Sequence, residues 1–368
     1  MDLFGHLSTV NSICIFVLLI LVFFNRKHIF VNDAKGGTNY FVLWLVATLF
    51  STFYMPIDGD VYNGYYSYQE YLSSGMQYHM EAIYFWLMDH LPHNFYLYRF
   101  VIWGTASLFL VLTFKRLNCQ SQLATLIFIS SCLLICYYYM RNVLGFSILY
   151  YVVACICTYQ RTSVGKLILD SFIYVLLLVA TYFLHRSMPL YYAFALLALF
   201  IPNNRYLILF IALLLPSIKL VAPSLINDVL QSGLLDQDTV ELSSEYMEHT
   251  EGFNFNLMGR IMRFFWHLPY VFIMGYAVLF LPSHSNSKTR NKPIEVFLMI
   301  SVFLFSSSYL FADTYSYSLH LRLLNTSFMP MTFFITKYLE DKRDKSVGHA
   351  FSILLIAYYG MAFISRIM

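Results

Sequence analysis

Apolar runs of 15 to 22 residues, separated by polar connections, recur along nearly the whole chain. A helix that crosses the hydrocarbon core of a bilayer needs about 20 mainly apolar residues, whereas a buried strand needs far fewer. The pattern therefore predicts an all-α, polytopic membrane protein with about 12 transmembrane helices in a single integral-membrane domain, residues 1–368. The expected spans are residues 3–24, 40–56, 95–114, 121–138, 143–160, 166–184, 187–201, 206–222, 262–281, 294–312, 322–339 and 348–365.

Two connections are much longer than the others, over residues 57–94 and 223–261. They hold most of the acidic residues and many aromatic ones, and loops of this length are usually functional. The seventh span is short and lies beside Pro189, which predicts a broken or re-entrant helix.

Composition supports lipid as the main solvent of the chain. Charged residues make up 12% of the sequence and hydrophobic residues 59%, against about 25% charged residues in soluble domains. The net charge of +3 comes from short clusters, which argues against a nucleic-acid partner. The six cysteines lie in or beside apolar runs, which argues against a disulfide framework. The first apolar run lacks a signal-peptide pattern and is interpreted as a retained helix.

Basic residues alternate between the two sides of the membrane, and they predict the orientation. Every second loop is basic, so that fifteen lysines and arginines lie on one side and eight on the other. The richer side is cytoplasmic by the positive-inside rule, which puts both termini and both long loops outside. Nine of the ten lysines are inside, whereas seven of the eight outer basic residues are arginine. Since the guanidinium fork binds phosphate and carboxylate in a bidentate way, the outer arginines are candidates for binding an anionic ligand.

The first long loop is rich in tyrosine and acids. Tyr62 and Tyr65 are interpreted either as part of an interfacial aromatic belt or as a platform that stacks on sugars. Asp60 and Glu81 are candidate general bases for a sugar hydroxyl, and Asp60 alternatively begins a helix as its N-cap. Asp58-x-Asp60 resembles the metal-binding pair of nucleotide-sugar transferases, but those substrates are cytoplasmic and this loop is not.

Arginines also mark three other outer positions: Arg141, Arg186 and Arg322. Each is interpreted either as a phosphate ligand or as a structural residue. For Arg141 and Arg186 the structural alternative is a side chain that snorkels to the lipid head groups. For Arg322 the structural alternative is an ion pair with Asp313. His185, directly before Arg186, is either a hydrogen-bonded structural residue or a base that the neighbouring charge keeps neutral.

Several classes of site have no signal in the sequence. A nucleotide-binding glycine loop, a zinc-spaced Cys/His cluster and a Gly-x-Ser-x-Gly elbow are all missing, and neither a cofactor nor a metal is expected. Charged residues are nearly absent from the centres of the spans, which argues against an ion-coupled transporter.

The order of the outer motifs resembles that of EpsG-like proteins, the Wzy-type polymerases of O-antigen and exopolysaccharide repeat units. The resemblance covers roughly residues 40 to 340, and departs from the family at Asn142, where glutamine is usual, and at Ala82, where proline is common. The motifs are Gly59-Asp60-Val61-Tyr62-x-x-Tyr65, Glu81-Ala82-Ile83-Tyr84, Arg141-Asn142-Val143-Leu144-Gly145, His185-Arg186-Ser187 and Arg322-Leu323.

The resemblance implies a GT-C-like glycosyltransferase of the bacterial inner membrane, multi-pass, with its active site on the periplasmic side. It implies that a growing glycan is transferred from undecaprenyl diphosphate onto a lipid-linked oligosaccharide repeat unit. The implied partners are this undecaprenyl-diphosphate-linked oligosaccharide, membrane lipid and a chain-length regulator protein.

With this chemistry, Arg141, Arg186 and Arg322 are expected to bind the diphosphate, and Tyr62, Tyr65 and Glu81 the sugars. Asp60 and His185 compete for the role of base, and the position of Asp60 in the family motif favours it. Two rival functions stay open. One is a flippase or transporter of lipid-linked sugars, and the other is a different membrane transferase, which uses a sugar on polyprenyl phosphate or transfers an acyl group.

Overall fold

The computed structural model describes residues 40–54, 60–75, 81–119, 140–159, 163–202, 204–221, 272, 274–276, 278, 279, 293–309 and 317–342. All regular structure in these residues is helical, which confirms the all-α prediction for this part of the chain. The elements are α1 (Tyr40–Leu49), a π-helical turn (Phe50–Tyr54), α2 (Asp60–Ser74), α3 (Ala82–His90), α4 (Phe95–Arg116), α5 (Met140–Cys157), α6 (Val164–Leu184), α7 (Met188–Phe200), α8 (Arg205–Val221), α9 (Pro293–Ser308) and α10 (Tyr317–Lys342).

The expected spans at residues 3–24, 121–138 and 348–365, most of the span at 262–281, and the second long loop lie outside the described residues. Where the expected spans are described, the apolar runs form helices, and most of these helices begin and end near the expected residues.

Among the helices that the structure describes, α4 and α6 are long and apolar enough to cross a membrane. Most of α6 is exposed, and its exposed residues are mainly apolar; Phe172 and Phe183, for example, each keep 60% of their surface accessible. In water a helix exposed on nearly all sides carries polar residues, so this surface indicates contact with lipid.

The sequence around α4 explains where that helix begins and ends. The side chain of Asn94 accepts hydrogen bonds from the backbone N–H groups of Tyr96 and Leu97, at 2.9 and 3.2 Å, and so caps the first turn. At the other end Asn118 adopts φ 57°, a left-handed conformation that asparagine tolerates and that ends helices.

One end of the bundle joins α1, α4 and α10. The Tyr40 hydroxyl donates to the Cys119 carbonyl at 2.8 Å, and the Lys337 ammonium donates to the Asn118 carbonyl at 3.2 Å. A turn deeper, Phe114 packs on Phe333, with ring centroids 4.9 Å apart. Phe114 and Asn118 are four residues apart at the end of α4, and their partners Phe333 and Lys337 are four residues apart in the same order on α10. α4 and α10 therefore run in the same direction. We call this the inner end, because the charge pattern predicts that it faces the cytoplasm, and we call the opposite end the outer end.

α5 runs parallel to α4. Phe109 packs on Tyr151, with ring centroids 5.5 Å apart. Arg116, seven residues farther along α4, interacts electrostatically with Tyr174, whose hydroxyl contacts Cys155 of α5. The later half of α4 therefore lies beside the later half of α5, and α5 begins at the outer end.

α9 runs antiparallel to α10. The Ser301 hydroxyl donates to the Ser327 carbonyl at 2.7 Å, while Phe297 packs on Phe333 with centroids 5.0 Å apart. α9 therefore reaches the outer end at its last residues, where Ser306, Ser307 and Ser308 are all buried.

α7 is continuous from Met188 to Phe200, so no break follows from Pro189. Proline lies in the first turn of this helix, where its missing N–H has no intrahelical partner to lose. Thirteen residues give a length of about 20 Å, which is shorter than the roughly 30 Å hydrocarbon core.

The first long loop contains the two short helices α2 and α3. Tyr68 of α2 is buried against Phe95 and Tyr98 at the start of α4, with centroids 5.5 Å from each ring. Tyr71 packs on Phe85 of α3, and α3 also packs on α6. These aromatic contacts attach the loop to the outer end of the bundle.

Candidate functional site at the outer end of the bundle

A close contact brings the outer end of α5 beside the turn between α6 and α7. A β-carbon added to Gly145 would lie 2.8 Å from the Met188 Sδ, closer than such contacts normally allow. Met188 is itself fully buried. A larger residue would require the Met188 side chain to move, so the missing side chain at Gly145 lets α5 and α7 approach closely.

The same contact places two sequence-predicted arginines at one level. The rings of Phe146 and Tyr191 meet edge to face, with centroids 4.4 Å apart. Arg141 lies five residues before the first of these rings, and Arg186 lies five residues before the second. The backbones of Arg141 and Arg186 therefore lie at comparable distances from this ring contact, toward the outer end of the bundle.

Arg99 joins this level from α4. It precedes Phe109 by ten residues, and Arg141 precedes the partner ring, Tyr151, also by ten. In parallel helices equal numbers of residues cover equal distances, here about 15 Å. Arg99 and Arg141 therefore lie at similar depth.

Arg322 reaches the same level on α10. The rings of Tyr150 and Phe333 have centroids 6.1 Å apart. Arg141 lies nine residues before the first ring and Arg322 eleven before the second, a difference of about 3 Å along the helix axis. We call the set formed by Arg99, Arg141, His185 to Ser187 and Arg322 the outer polar layer.

Arg99 is the best defined charge of this layer. Its side chain is 1% exposed, and Nη2 donates a hydrogen bond to the Ser51 carbonyl at 2.8 Å. Ser51 belongs to the π-helical turn. Such turns are rare in proteins overall, but those that occur are frequently at functional sites. The guanidinium also lies over the Phe95 ring, 6.0 Å from its centroid. A buried cation is thus held between α1 and α4 at the outer end.

His185 ends α6 and makes a local hydrogen-bond arrangement with Ser187. The Ser187 backbone N–H donates to His185 Nδ1 at 3.1 Å, and the Ser187 hydroxyl lies 2.8 Å from the same nitrogen. A backbone N–H can only donate, so Nδ1 accepts and carries no proton in this arrangement. The imidazole is therefore neutral, and its proton is on Nε2.

Arg186, in the turn after α6, and Asn142, in α5, differ in exposure. Arg186 is exposed at the turn, whereas Asn142, directly after Arg141, is 3% exposed. The outer end of the bundle thus holds hydrogen-bond donors both at the surface, at Arg186, and within the helix packing, at Asn142.

The structure gives the helical position of Asp60, Tyr62 and Tyr65 in α2. Asp60 is the first residue of this helix, one position after the N-cap that is its alternative role, and Tyr62 and Tyr65 lie about one turn apart. Glu81 is half-buried and precedes α3, without a side-chain cap. These four residues lie on the elements that pack on α4 and α6, and the described contacts do not connect them to Arg141 or Arg322.

Sequence reasoning missed three residues. Arg99 was counted only as an outer charge, although it is almost completely buried. Ser187 was part of a motif without a role, and only the turn geometry shows its contact with His185. Glu70, in α2, has a buried Oε2 without a hydrogen-bond donor in the described part of the structure. Its carboxylate is a further candidate to accept a proton.

Metal binding has no support among the described residues, where no group of three or more His, Cys, Asp or Glu side chains is arranged to hold an ion. Comparison of this chain with known protein families, with curated proteins and with solved structures finds no match.

Proposed function

We propose that this protein is a polysaccharide polymerase of the bacterial inner membrane, which transfers a growing glycan from undecaprenyl diphosphate onto a lipid-linked repeat unit at the periplasmic face. The observation that carries the proposal is the close packing of Gly145 on Met188, which puts the Arg141 helix end beside the His185–Arg186 turn. In this proposal the fold is GT-C-like and the chain crosses the membrane about 12 times.

The reaction is a substitution at the anomeric carbon of the donor. A bond forms between this carbon and the acceptor hydroxyl oxygen, and the bond to the diphosphate oxygen breaks with its electron pair. The hydroxyl proton passes to Asp60, and undecaprenyl diphosphate leaves as an anion. Because negative charge grows on the diphosphate, hydrogen-bond donors fixed around it lower the barrier most.

Arg141, Arg186 and Arg322 are assigned to the diphosphate. Their backbones lie at a similar depth in the bundle, as does the buried Arg99. Removing one preorganised donor from such a site typically costs about 3–4 kcal/mol, or roughly 100- to 1000-fold in rate. Tyr62, Tyr65 and Glu81 are assigned to the sugars, since α2 packs on the outer end of α4 and α3 packs on α2 and α6.

The test is a glycan gel of a deletion strain complemented with the wild-type chain or a variant. The deletion is expected to reduce the polymer ladder to a single repeat unit, and Arg141→Ala, Arg186→Ala and Arg322→Ala are each expected to do the same. Lys166→Ala serves as the control, because this exposed residue lies in the first turn of α6, remote from its outer end. Loss of every surface unit in the deletion strain would instead indicate a flippase.

A further inference from the structure

We propose that Ser187 is a positioning residue that fixes His185 as an Nε2–H hydrogen-bond donor to an anionic oxygen of the substrate. His185 is then not the general base of the reaction. The inference rests on the proposed function and decides against the role of base that the sequence left open for His185.

The argument begins with the two contacts to Nδ1. The Ser187 backbone N–H, 3.1 Å away, has no alternative to donating. The hydroxyl of the same residue, 2.8 Å from Nδ1, then also acts as a donor, because an unprotonated Nδ1 has no hydrogen to give. Both contacts favour the same tautomer, in which the proton is on Nε2.

This tautomer decides what the imidazole can do. A neutral ring acts as a base through its unprotonated nitrogen, which here is Nδ1, and that nitrogen already accepts hydrogen bonds from its own turn. Nε2 carries a hydrogen and donates. A hydrogen bond from a neutral donor to an anionic oxygen strengthens as charge grows on that oxygen, which suits the departing diphosphate.

The backbone keeps this arrangement in place. His185 leaves the α6 helix with φ −161° and ψ 121°, and its own N–H donates to the Thr181 carbonyl at 3.0 Å. Three residues later Met188 is buried against Gly145. The turn is therefore held on both sides, so that the Ser187–His185 contact does not depend on the substrate.

The test compares His185→Gln with His185→Ala in a polymerisation assay with lipid-linked repeat units isolated from the deletion strain. Glutamine keeps an N–H donor but is not a base, so His185→Gln is expected to retain activity within about tenfold of wild type. His185→Ala is expected to lose about 100-fold or more. Equal loss in both variants, with an active wild-type enzyme, would overturn the inference and leave the proposed function standing.

The pH profile provides a second readout, which distinguishes a hydrogen-bond donor at His185 from a general base. A base at His185 would make activity fall as pH drops through the ordinary imidazole range near about 6.5, and His185→Gln would lack this fall. The inference predicts that the activity of the wild type and that of His185→Gln fall over the same range as the pH is lowered.

Ser187→Ala and Ser187→Thr test the positioning role. Alanine is expected to reduce activity about five- to tenfold, the effect of one hydrogen bond, and threonine to restore it by keeping the hydroxyl. His93→Gln is the matched control at an exposed histidine. The tautomer is measured independently of activity by long-range ¹H–¹⁵N correlation of the ring. An Nδ1–H signal for His185 in the wild-type protein would overturn the inference even if polymerisation were absent.

Discussion

Gly145 in α5 and Met188 in α7 are so close that a β-carbon on the glycine would come within 2.8 Å of the methionine sulfur. This contact connects two segments that are 43 residues apart in the sequence, each of which carries an arginine of the outer polar layer. This packing thus brings the backbones of Arg141 and Arg186 to the same end of the bundle.

Enlarging Gly145 should separate these two arginines. Gly145→Leu inserts a side chain where a buried methionine leaves no room, and overpacking of this kind typically costs about 1–3 kcal/mol. We expect lower thermal stability in detergent and a stronger loss of polymer length than of membrane expression. A stable variant with full-length polymer would show that the contact does not set the geometry of the site.

The double variant Gly145→Ala/Met188→Ala separates packing from chemistry. Met188→Ala alone should leave a cavity and destabilise the protein by about 2–5 kcal/mol. Adding a methyl group at Gly145 refills part of that space, so the double variant should be less destabilised than the sum of the single changes. Strict additivity in the thermal unfolding of the four proteins would contradict direct contact.

Arg99 should be essential for stability because it is buried and bound to a backbone carbonyl. In Arg99→Met the Ser51 carbonyl loses its charged donor, and a buried acceptor left unsatisfied costs about 1–3 kcal/mol. We expect a lower melting temperature in detergent, measured by loss of the folded-protein peak in size-exclusion chromatography. Lys115→Met, at an exposed lysine of the same helix, should melt as the wild type does.

Helix positions were largely predictable from the sequence, whereas the contacts of the outer layer were not. Apolar runs have a length set by the bilayer, so α4 and α6 begin and end within two residues of the expected bounds. The π-helical turn could not be expected, since hydrophobic periodicity does not distinguish one inserted residue. The burial of Arg99 was also not predictable from the sequence. An arginine near a helix end can be buried in the bundle or can extend to the lipid head groups, and the sequence is compatible with both.

The role of Ser187 depends on backbone angles, which residue types alone do not determine. The spacing His-x-Ser occurs in many contexts, and only the turn after α6 brings both donors of Ser187 to one imidazole nitrogen. Similarly, the tyrosines of the first long loop suggested an interfacial belt as well as a sugar platform. Tyr68, which was not assigned a role, proves to anchor α2 on α4.

The two ends of α6 should react from opposite sides of the membrane. Arg186→Cys lies one residue beyond the His185 cap and Lys166→Cys lies in the first turn, and both positions are exposed. A membrane-impermeant thiol reagent added to intact spheroplasts should label the first variant only, and after lysis it should label both. Labelling of Lys166→Cys alone in intact cells would reverse the assigned orientation.

Alkaline pH should weaken the contact between α2 and α3. Tyr71 donates a hydrogen bond to the Asp89 Oδ1 at 2.6 Å, and this bond, with the repulsion between the carboxylate and a tyrosinate, raises the pKa of Tyr71 above its ordinary value near about 10. The folded state favours the neutral phenol, so the contribution is complete below pH about 10 and is lost as pH rises through the raised pKa.

Limited proteolysis between α2 and α3 measures this effect. The wild-type protein should be cleaved faster above pH about 10 than at neutral pH, while Tyr71→Phe should show the faster cleavage already at neutral pH. The same pH dependence in the wild type and in Tyr71→Phe would exclude a role for this hydrogen bond.

The most direct test of polymerase activity is extension of an undecaprenyl-diphosphate-linked repeat unit by the purified protein alone, with products resolved on a glycan gel. We expect the wild type to produce a ladder of oligomers, and Arg141→Ala or Arg186→Ala to leave mainly single units at a rate reduced about 100- to 1000-fold. A purified wild-type protein that leaves the repeat unit unextended, or arginine variants that extend it at the wild-type rate, would contradict the account.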